Sequence, residues 1–249
     1  LWVADMDFKT PDFIIDALKA RCEHPIFGYT FGDDAYYNSI ISWLVYKYNW
    51  NIRQEWLSYI PGIVKGIGFA VQCFTQPGDK VIIQPPVYHP FHRVPTSMKR
   101  EVVYNPLKLV NGLYEMDFEQ LESIIDEKCK LLILSNPHNP GGIVWPKDTL
   151  VRLAQTCAKH HVLVISDEIH AELTYPPYRH HPFATVSDEA ANNSVTFMAP
   201  SKTFNIAGIV SSYAIVPNEK IREQFYGYLE AGEFNAGTIF AYTATTAAY

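Results

Sequence analysis

Several stretches of the chain run from apolar residues straight into side chains that can do chemistry. VTFMAPSK ends in Lys202, and VLVISDEIH carries Asp167, Glu168 and His170. LLILSNPHNPGG carries Asn136 and Asn139, and VIIQPPVYHPF carries Tyr88 and His89. An amine and a carboxylate at the ends of buried strands point to Schiff-base chemistry. Desolvation favours the neutral, nucleophilic form of an amine, which attacks an aldehyde. A carboxylate set against a pyridine nitrogen keeps that ring protonated, so that it acts as an electron sink. YIPGIVKGIGFA adds a glycine-bearing turn that opens a helix, where free backbone N–H groups can hold a phosphate.

Taken singly, each feature has an ordinary counterpart. A lone lysine is usually solvated, an aspartate after a strand is often a helix cap, and Asn-Pro pairs make turns. Their order on one strand–helix pattern is what argues for chemistry. His160, His161, His170, His180 and His181 show no metal-ligand spacing such as H-E-x-x-H and read as loop and helix-end residues. Asp5 and Asp7 read as turn or cap residues, and the Lys65 side chain as an exposed helix lysine.

The elements that must position these residues alternate along the chain. Strands are expected at 80–84, 100–104, 130–135, 161–166, 195–199 and 210–216, several of them nearly continuous apolar runs, as in strands covered on both faces. The opening LWVADMDF also reads as strand-like. Helices are expected at 11–24, 33–49, 62–75, 117–127, 146–160 and 217–230, from apolar spacing and from Pro or acidic starts. The alternation predicts an α/β fold with a mostly parallel central sheet flanked by helices, and ligands in such folds bind at the carboxyl ends of the strands.

The bulk composition excludes other classes. The 249 residues carry a net charge of −6 without a block of Lys/Arg, which argues against nucleic acid or an anionic membrane as partner. No apolar run approaches the roughly 18 residues of a membrane span. Cys22, Cys73, Cys129 and Cys157 form no C-x-x-C, a pattern of reduced thiols in a cytoplasmic protein. The chain opens without Met and stops without a terminator, so a fragment lacking both ends is expected.

With LWVADMDF, GYT, PGIVKGI, PPVYHPF, NPHNPGG, SDEIHAEL and SKTFNIAGI in hand, the chain resembles the fold-type I pyridoxal-phosphate (PLP) enzymes of the aminotransferase class I/II family. Within it, the chain is most similar to the cystathionine β-lyase / C–S lyase subgroup of MalY–PatB type. The resemblance implies a PLP-binding large domain over 16–249, an N-terminal arm or small-domain piece over 1–15, and a small domain largely missing. It implies that Lys202 forms the Schiff base with PLP, Asp167 pairs with the pyridine nitrogen, Asn139 bonds the ring's 3-oxygen and Tyr88 stacks on the ring. The backbone around Val64, Lys65 and Gly66 would cradle the phosphate, with Ser201 as a hydroxyl donor. Tyr29 would reach the phosphate of a neighbouring subunit, in a homodimer with a shared active site. His170 stands where many aminotransferases have Tyr, while Ala199 and Val210 stand where they have a Ser and a phosphate-binding Arg. The phosphate anchors of the wider family are therefore incomplete here.

The implied activity is β-elimination on a sulfur amino acid, cystathionine or a cysteine S-conjugate, giving a thiol, pyruvate and ammonia. Lys202 would take the Cα proton and Asp167 would hold the ring protonated. Two alternatives share these residues or dispense with them: an amino-acid aminotransferase, and a non-catalytic regulatory or binding protein on the same fold.

Overall fold

The computed structural model describes residues 4–249. The start of the strand expected at the amino terminus, residues 1–3, lies outside the described residues, and 4–8 form bends and turns instead of strand. In chain order the elements are α1 (Asp12–Glu23), α2 (Asp34–Tyr48), β1 (Leu57–Ile60), α3 (Ile63–Phe74), β2 (Lys80–Ile83), α4 (Pro90–Ser97) and β3 (Glu101–Tyr104). A hairpin of β4 (Lys108–Val110) and β5 (Leu113–Glu115) leads to α5 (Phe118–Ile124), β6 (Cys129–Ser135), α6 (Lys147–Lys159) and β7 (Leu163–Asp167). Then follow α7 (Asp188–Asn192), β8 (Ser194–Met198), β9 (Ser212–Ile215), α8 (Glu219–Ala231) and α9 (Ile239–Ala248). The boundary expected between residues 15 and 16 falls inside the continuous helix α1.

The main sheet has the order β1-β9-β8-β7-β6-β2-β3. Strands β8, β7, β6, β2 and β3 pair in parallel, and β9 runs antiparallel to both β8 and β1. The period-two alternation of a strand explains why the central runs are apolar throughout. Val81, Ile83, Leu131, Ile133, Leu163 and Ile165 face one core, with Ile67 and Val71 of α3 and Phe225 and Leu229 of α8. Their neighbours Ile82, Leu132, Leu134 and Val164 face the other, with Leu121 of α5 and Leu150 and Leu153 of α6. Each such side chain contributes roughly 1.5–3 kcal/mol by leaving water. A third cluster packs Tyr36, Ile40 and Leu44 of α2 and Tyr242 of α9 on Tyr59, Tyr213 and Ile215 at the β1–β9 end.

The expected strands and helices are present with small shifts at their ends. The strand expected from 210 begins only at Ser212, because Val210 takes a left-handed conformation with φ of 59°. The helix expected over 117–127 stops at Ile124. Sequence reading did not find β1, the β4–β5 hairpin, α4, α7 or α9. Helix α4 contains Pro95 and starts at Pro90, which obscures its pattern. Helix α9, IFAYTATTAA, has no polar charged face to set a period.

What matters for the site is where the parallel strands stop. Ser135 and Asp167 are partners at the ends of β6 and β7, and Asp167 is in register with Phe197 of β8. The chain leaving β8 reaches Lys202 within four residues of Met198, and the chain leaving β2 reaches Tyr88. All four side chains thus converge on the carboxyl edge of the sheet.

Candidate active site

A cavity of about 230 Å³ opens at this edge, lined among others by Lys202, Asp167, Asn139, Tyr88, His170 and Ser201. Asp167 is buried at 8% exposure, and its Oδ1 accepts a 3.1 Å hydrogen bond from the N–H of Ile169. Burial pushes its carboxyl up to about 7, against the opposing pull of that N–H and of the Lys202 charge. Its strand position is held by the N–H of Asn136, which donates to the Asp167 carbonyl at 3.0 Å. Burial, and then the charge of Lys202, push the His170 imidazole down.

Tyr88 and Asn139 are locked to each other through the backbone. The Tyr88 N–H donates to the Asn139 carbonyl at 3.1 Å, and the Asn139 N–H donates to Ser135 Oγ at 3.0 Å. Asn139 itself lines the cavity. Asn136 differs: it is 1% exposed, its Nδ2 donates to the His181 carbonyl, and it does not line the cavity.

The opposite end of the cavity is built from the start of α3. Gly62 caps that helix with φ of 107°, a conformation that glycine adopts without strain. The Gly66 N–H already donates to the Gly62 carbonyl at 2.9 Å, so the N–H groups ahead of it, those of Ile63, Val64 and Lys65, have no intrahelical acceptor. Gly62, Ile63 and Val64 line the cavity with Ser201, Val210 and Ser211. Ser211 Oγ is buried without a hydrogen-bond partner among the described residues. Val210, a β-branched residue at positive φ, is held there by Tyr59 Oη donating to its carbonyl at 2.8 Å.

Three of the expected residues stand apart from the cavity wall. The Lys65 side chain is exposed, which leaves only its backbone N–H for a ligand. Gly66 lies behind the wall: a Cβ there would sit 2.6 Å from Ile60 Cδ1 and 3.2 Å from Phe197 Cζ, so its smallness serves the packing of α3 on the sheet. Tyr29 is fully exposed, in a run with the exposed Ile26, Phe27 and Phe31. Sequence reading overlooked Ser135, Ser211 and Ala4. Ser135 was legible as the polar stop of LLILS; Ser211 and Ala4 carried no signal, since only the folded chain brings them to the cavity.

The set fits a flat, anionic, electron-poor ring. Uncapped N–H groups and the orphan Ser211 hydroxyl suit a phosphate. A buried carboxylate forced up by desolvation suits a protonated ring nitrogen, whose charge would bring it back down. Tyr88 offers an aromatic face and Lys202 an amine.

A family model described as aminotransferase class I and II matches residues 3–248. The chain is 44% identical to cystathionine beta-lyase PatB of Bacillus subtilis, over 100% of this chain and 65% of that one. Among solved structures, cystalysin from Treponema denticola, which contains a pyridoxal 5'-phosphate cofactor, superposes with a TM-score of 0.95 at 37% identity, over 99% of this chain and 63% of that one. The PLP-bound C–S lyase from Staphylococcus hominis superposes with a TM-score of 0.92 at 35% identity, over 100% and 63%. The chain thus spans a little under two thirds of the length of these relatives.

Proposed function

Because the chain belongs to the aminotransferase class I and II family, we propose that the protein is a PLP-dependent C–S β-lyase, releasing a thiol, pyruvate and ammonia from cystathionine or a cysteine S-conjugate. The observation that carries this reading is the meeting of Lys202, Asp167, Asn139 and Tyr88 on one cavity in a chain so close to a cystathionine β-lyase. When bound, PLP supplies an aldehyde and a ring that accepts the electron pair left at the substrate Cα.

The protein's own residues do the rest. Lys202 is the amine that would hold the cofactor, and its Nζ would serve as the base for the substrate Cα proton. Asp167 would pair with the ring nitrogen and keep a proton there. Asn139 would donate to the 3-oxygen, Tyr88 would cover one face of the ring, and His170 would line the site near the amine. The N–H groups of Ile63, Val64 and Lys65, with the Ser201 and Ser211 hydroxyls, would hold the phosphate. They would replace the arginine that many family members use and that is Val210 here.

We further propose a homodimer with a shared active site. The exposed run of Ile26, Phe27, Tyr29 and Phe31 supports it, with Tyr29 reaching the partner's phosphate. The free thiols of Cys22, Cys73, Cys129 and Cys157 support a cytoplasmic location. None of the described helices is long and apolar enough to cross a membrane.

The test is direct. The protein mixed with PLP is reduced with borohydride and its peptides mapped, and pyruvate is then followed with cystathionine and S-alkyl cysteines. The proposal expects the cofactor on Lys202 and pyruvate from at least one of these substrates. Conversion of PLP to its amine form by an amino-acid donor, reversed by a keto acid and without β-elimination to pyruvate, would replace the lyase by an aminotransferase.

A further inference from the structure

Three residues beyond Lys202, the side chain of Asn205 is bonded to the amino-terminal arm. Its Nδ2 donates to the Met6 carbonyl at 2.9 Å and to the Phe8 carbonyl at 2.8 Å. Its Oδ1 accepts the Met6 N–H at 3.1 Å, and its own carbonyl accepts the Thr10 hydroxyl at 3.1 Å. Both donors and the acceptor of the amide are thus engaged on one short segment. That segment contributes Ala4 to the cavity wall.

Apolar burial does not hold the arm. No residue from 4 to 10 is buried, so directional bonds do what apolar burial does elsewhere in the fold. The anchor is rigid on its own side. The Ile206 N–H donates to the Ser201 carbonyl at 2.9 Å, and Ile206 is buried against Ile14 of α1 and Ala244 and Ala248 of α9. Thr203 Oγ1 donates to Glu172 at 3.0 Å. Asn205 itself adopts φ of 55°, a left-handed conformation that Asn tolerates better than most residues. Position 205 therefore needs an amide on a short stem that can sit in this conformation. Asp would set a carboxylate against two carbonyls, and Gly would keep the backbone but lose the bonds.

We propose that Asn205 is a positioning residue of this site: it fastens the arm 4–10 and so holds Ala4 in the cavity wall that shields Lys202 from bulk water. The proposal builds on reading the cavity as the PLP site, but both decisive measurements are made on protein without cofactor, so they stand or fall separately from that reading. Water exclusion is what makes an amine–carboxylate pair effective, because their fields act at low dielectric.

The test compares Asn205→Gly and Asn205→Asp with the wild type. Hydrogen exchange reads the arm, and labelling of Lys202 by trinitrobenzenesulfonate reads the cavity, with exposed Lys65 as internal reference. Both variants should speed exchange across 4–10 by roughly fivefold for each hydrogen bond lost, with exchange in β7 and β8 unchanged. Labelling of Lys202 relative to Lys65 should rise with it, by about tenfold. With cofactor and substrate, the loss should fall on kcat/KM in proportion to the labelling rate. Unchanged exchange of the arm would overturn the clamp. A loosened arm with unchanged Lys202 labelling would overturn the wall. Faster exchange in β7 and β8 as well would reduce Asn205 to a general stabiliser and overturn the proposal too. Failure of PLP to bind the wild type would sink the cofactor reading alone.

Discussion

Tyr88 and Asn139 arrive at the site from different strands, yet the Tyr88 N–H donates to the Asn139 carbonyl at 3.1 Å. The ring after β2 and the amide after β6 therefore move as one unit, and Ser135 Oγ ties that unit to the end of β6 through the Asn139 N–H. Replacing the Tyr88 ring while keeping the backbone bond separates the two roles. Tyr88→Phe keeps the aromatic face and should leave PLP affinity within about twofold. Tyr88→Leu removes the aromatic face and should weaken PLP binding by roughly two- to tenfold, matching the ~0.5–1.5 kcal/mol of an aromatic pair. A fluorescence titration with PLP measures both.

Asp167 predicts a pH dependence with a definite sign. Its carboxyl is held near 7 in the folded chain against 3.8 as the reference value. Between those values the folded state binds more protons than the unfolded state, so stability falls as pH rises. The contribution is fully present below about pH 4 and is lost as pH passes through 7. Asp167→Asn keeps the shape and removes the buried charge. Cofactor-free Asp167→Asn should therefore be more stable than wild type at pH 8, by about 2–4 kcal/mol, and nearly equal to it at pH 4. On the proposed lyase reading, turnover should drop by 10²–10⁴-fold, the usual span for a group that controls a proton in the transition state. Urea melts of both proteins at the two pH values, with pyruvate assays alongside, check the pair of outcomes. A variant less stable than wild type at pH 8 would contradict the burial argument.

How far these residues could be read from the chain alone differs by kind. Lys202, Asp167, Asn139 and Tyr88 were legible because parallel-strand ends are read from apolar runs, and a polar residue just after such a run has few other places to point. The strand bodies were legible for the same reason: Val164 and Ile165 face opposite cores, so the whole run is apolar. Ser211, Ala4 and Asn205 were not, because their partners lie far away in sequence and no local period records them. Val210 shows another limit, since its apolar β-branched side chain reads as strand while its backbone turns left-handed. Gly66 was legible as a glycine that something requires, but whether a ligand or a neighbouring side chain requires it appears only in three dimensions.

That distinction is testable at Gly66 itself. A Cβ would meet Ile60 Cδ1 at 2.6 Å and Phe197 at 3.2 Å, both in the core. Gly66→Ala should cost about 1–3 kcal/mol of stability through overpacking while PLP affinity, measured well below the melting temperature, stays within about threefold. A large loss of affinity with stability unchanged would return Gly66 to the phosphate cradle. Thermal melts and a PLP titration on the same preparation give both numbers.

Behind the site lies a buried pair that the chemistry does not use. Glu168 is 1% exposed; its Oε2 lies 2.6 Å from His180 Nε2, and its Oε1 accepts from Ser166 Oγ at 2.7 Å and from the Phe183 N–H at 2.8 Å. The pair ties the chain after β7 to residues 180–183. Removing one partner leaves the other buried without its bond, which costs about 3–5 kcal/mol. His180→Ala should thus lower the melting temperature by many degrees, whereas Glu168→Gln, which keeps an acceptor for Phe183 N–H and still fills the space beside the His180 ring with a polar group, should lose much less. If the pair is purely a scaffold, whatever folded fraction of His180→Ala remains will bind PLP on Lys202 with near-wild-type affinity. Calorimetry on both variants, with borohydride trapping of the folded fraction, decides it: a folded His180→Ala protein unable to hold PLP would make this pair part of the site instead of its support.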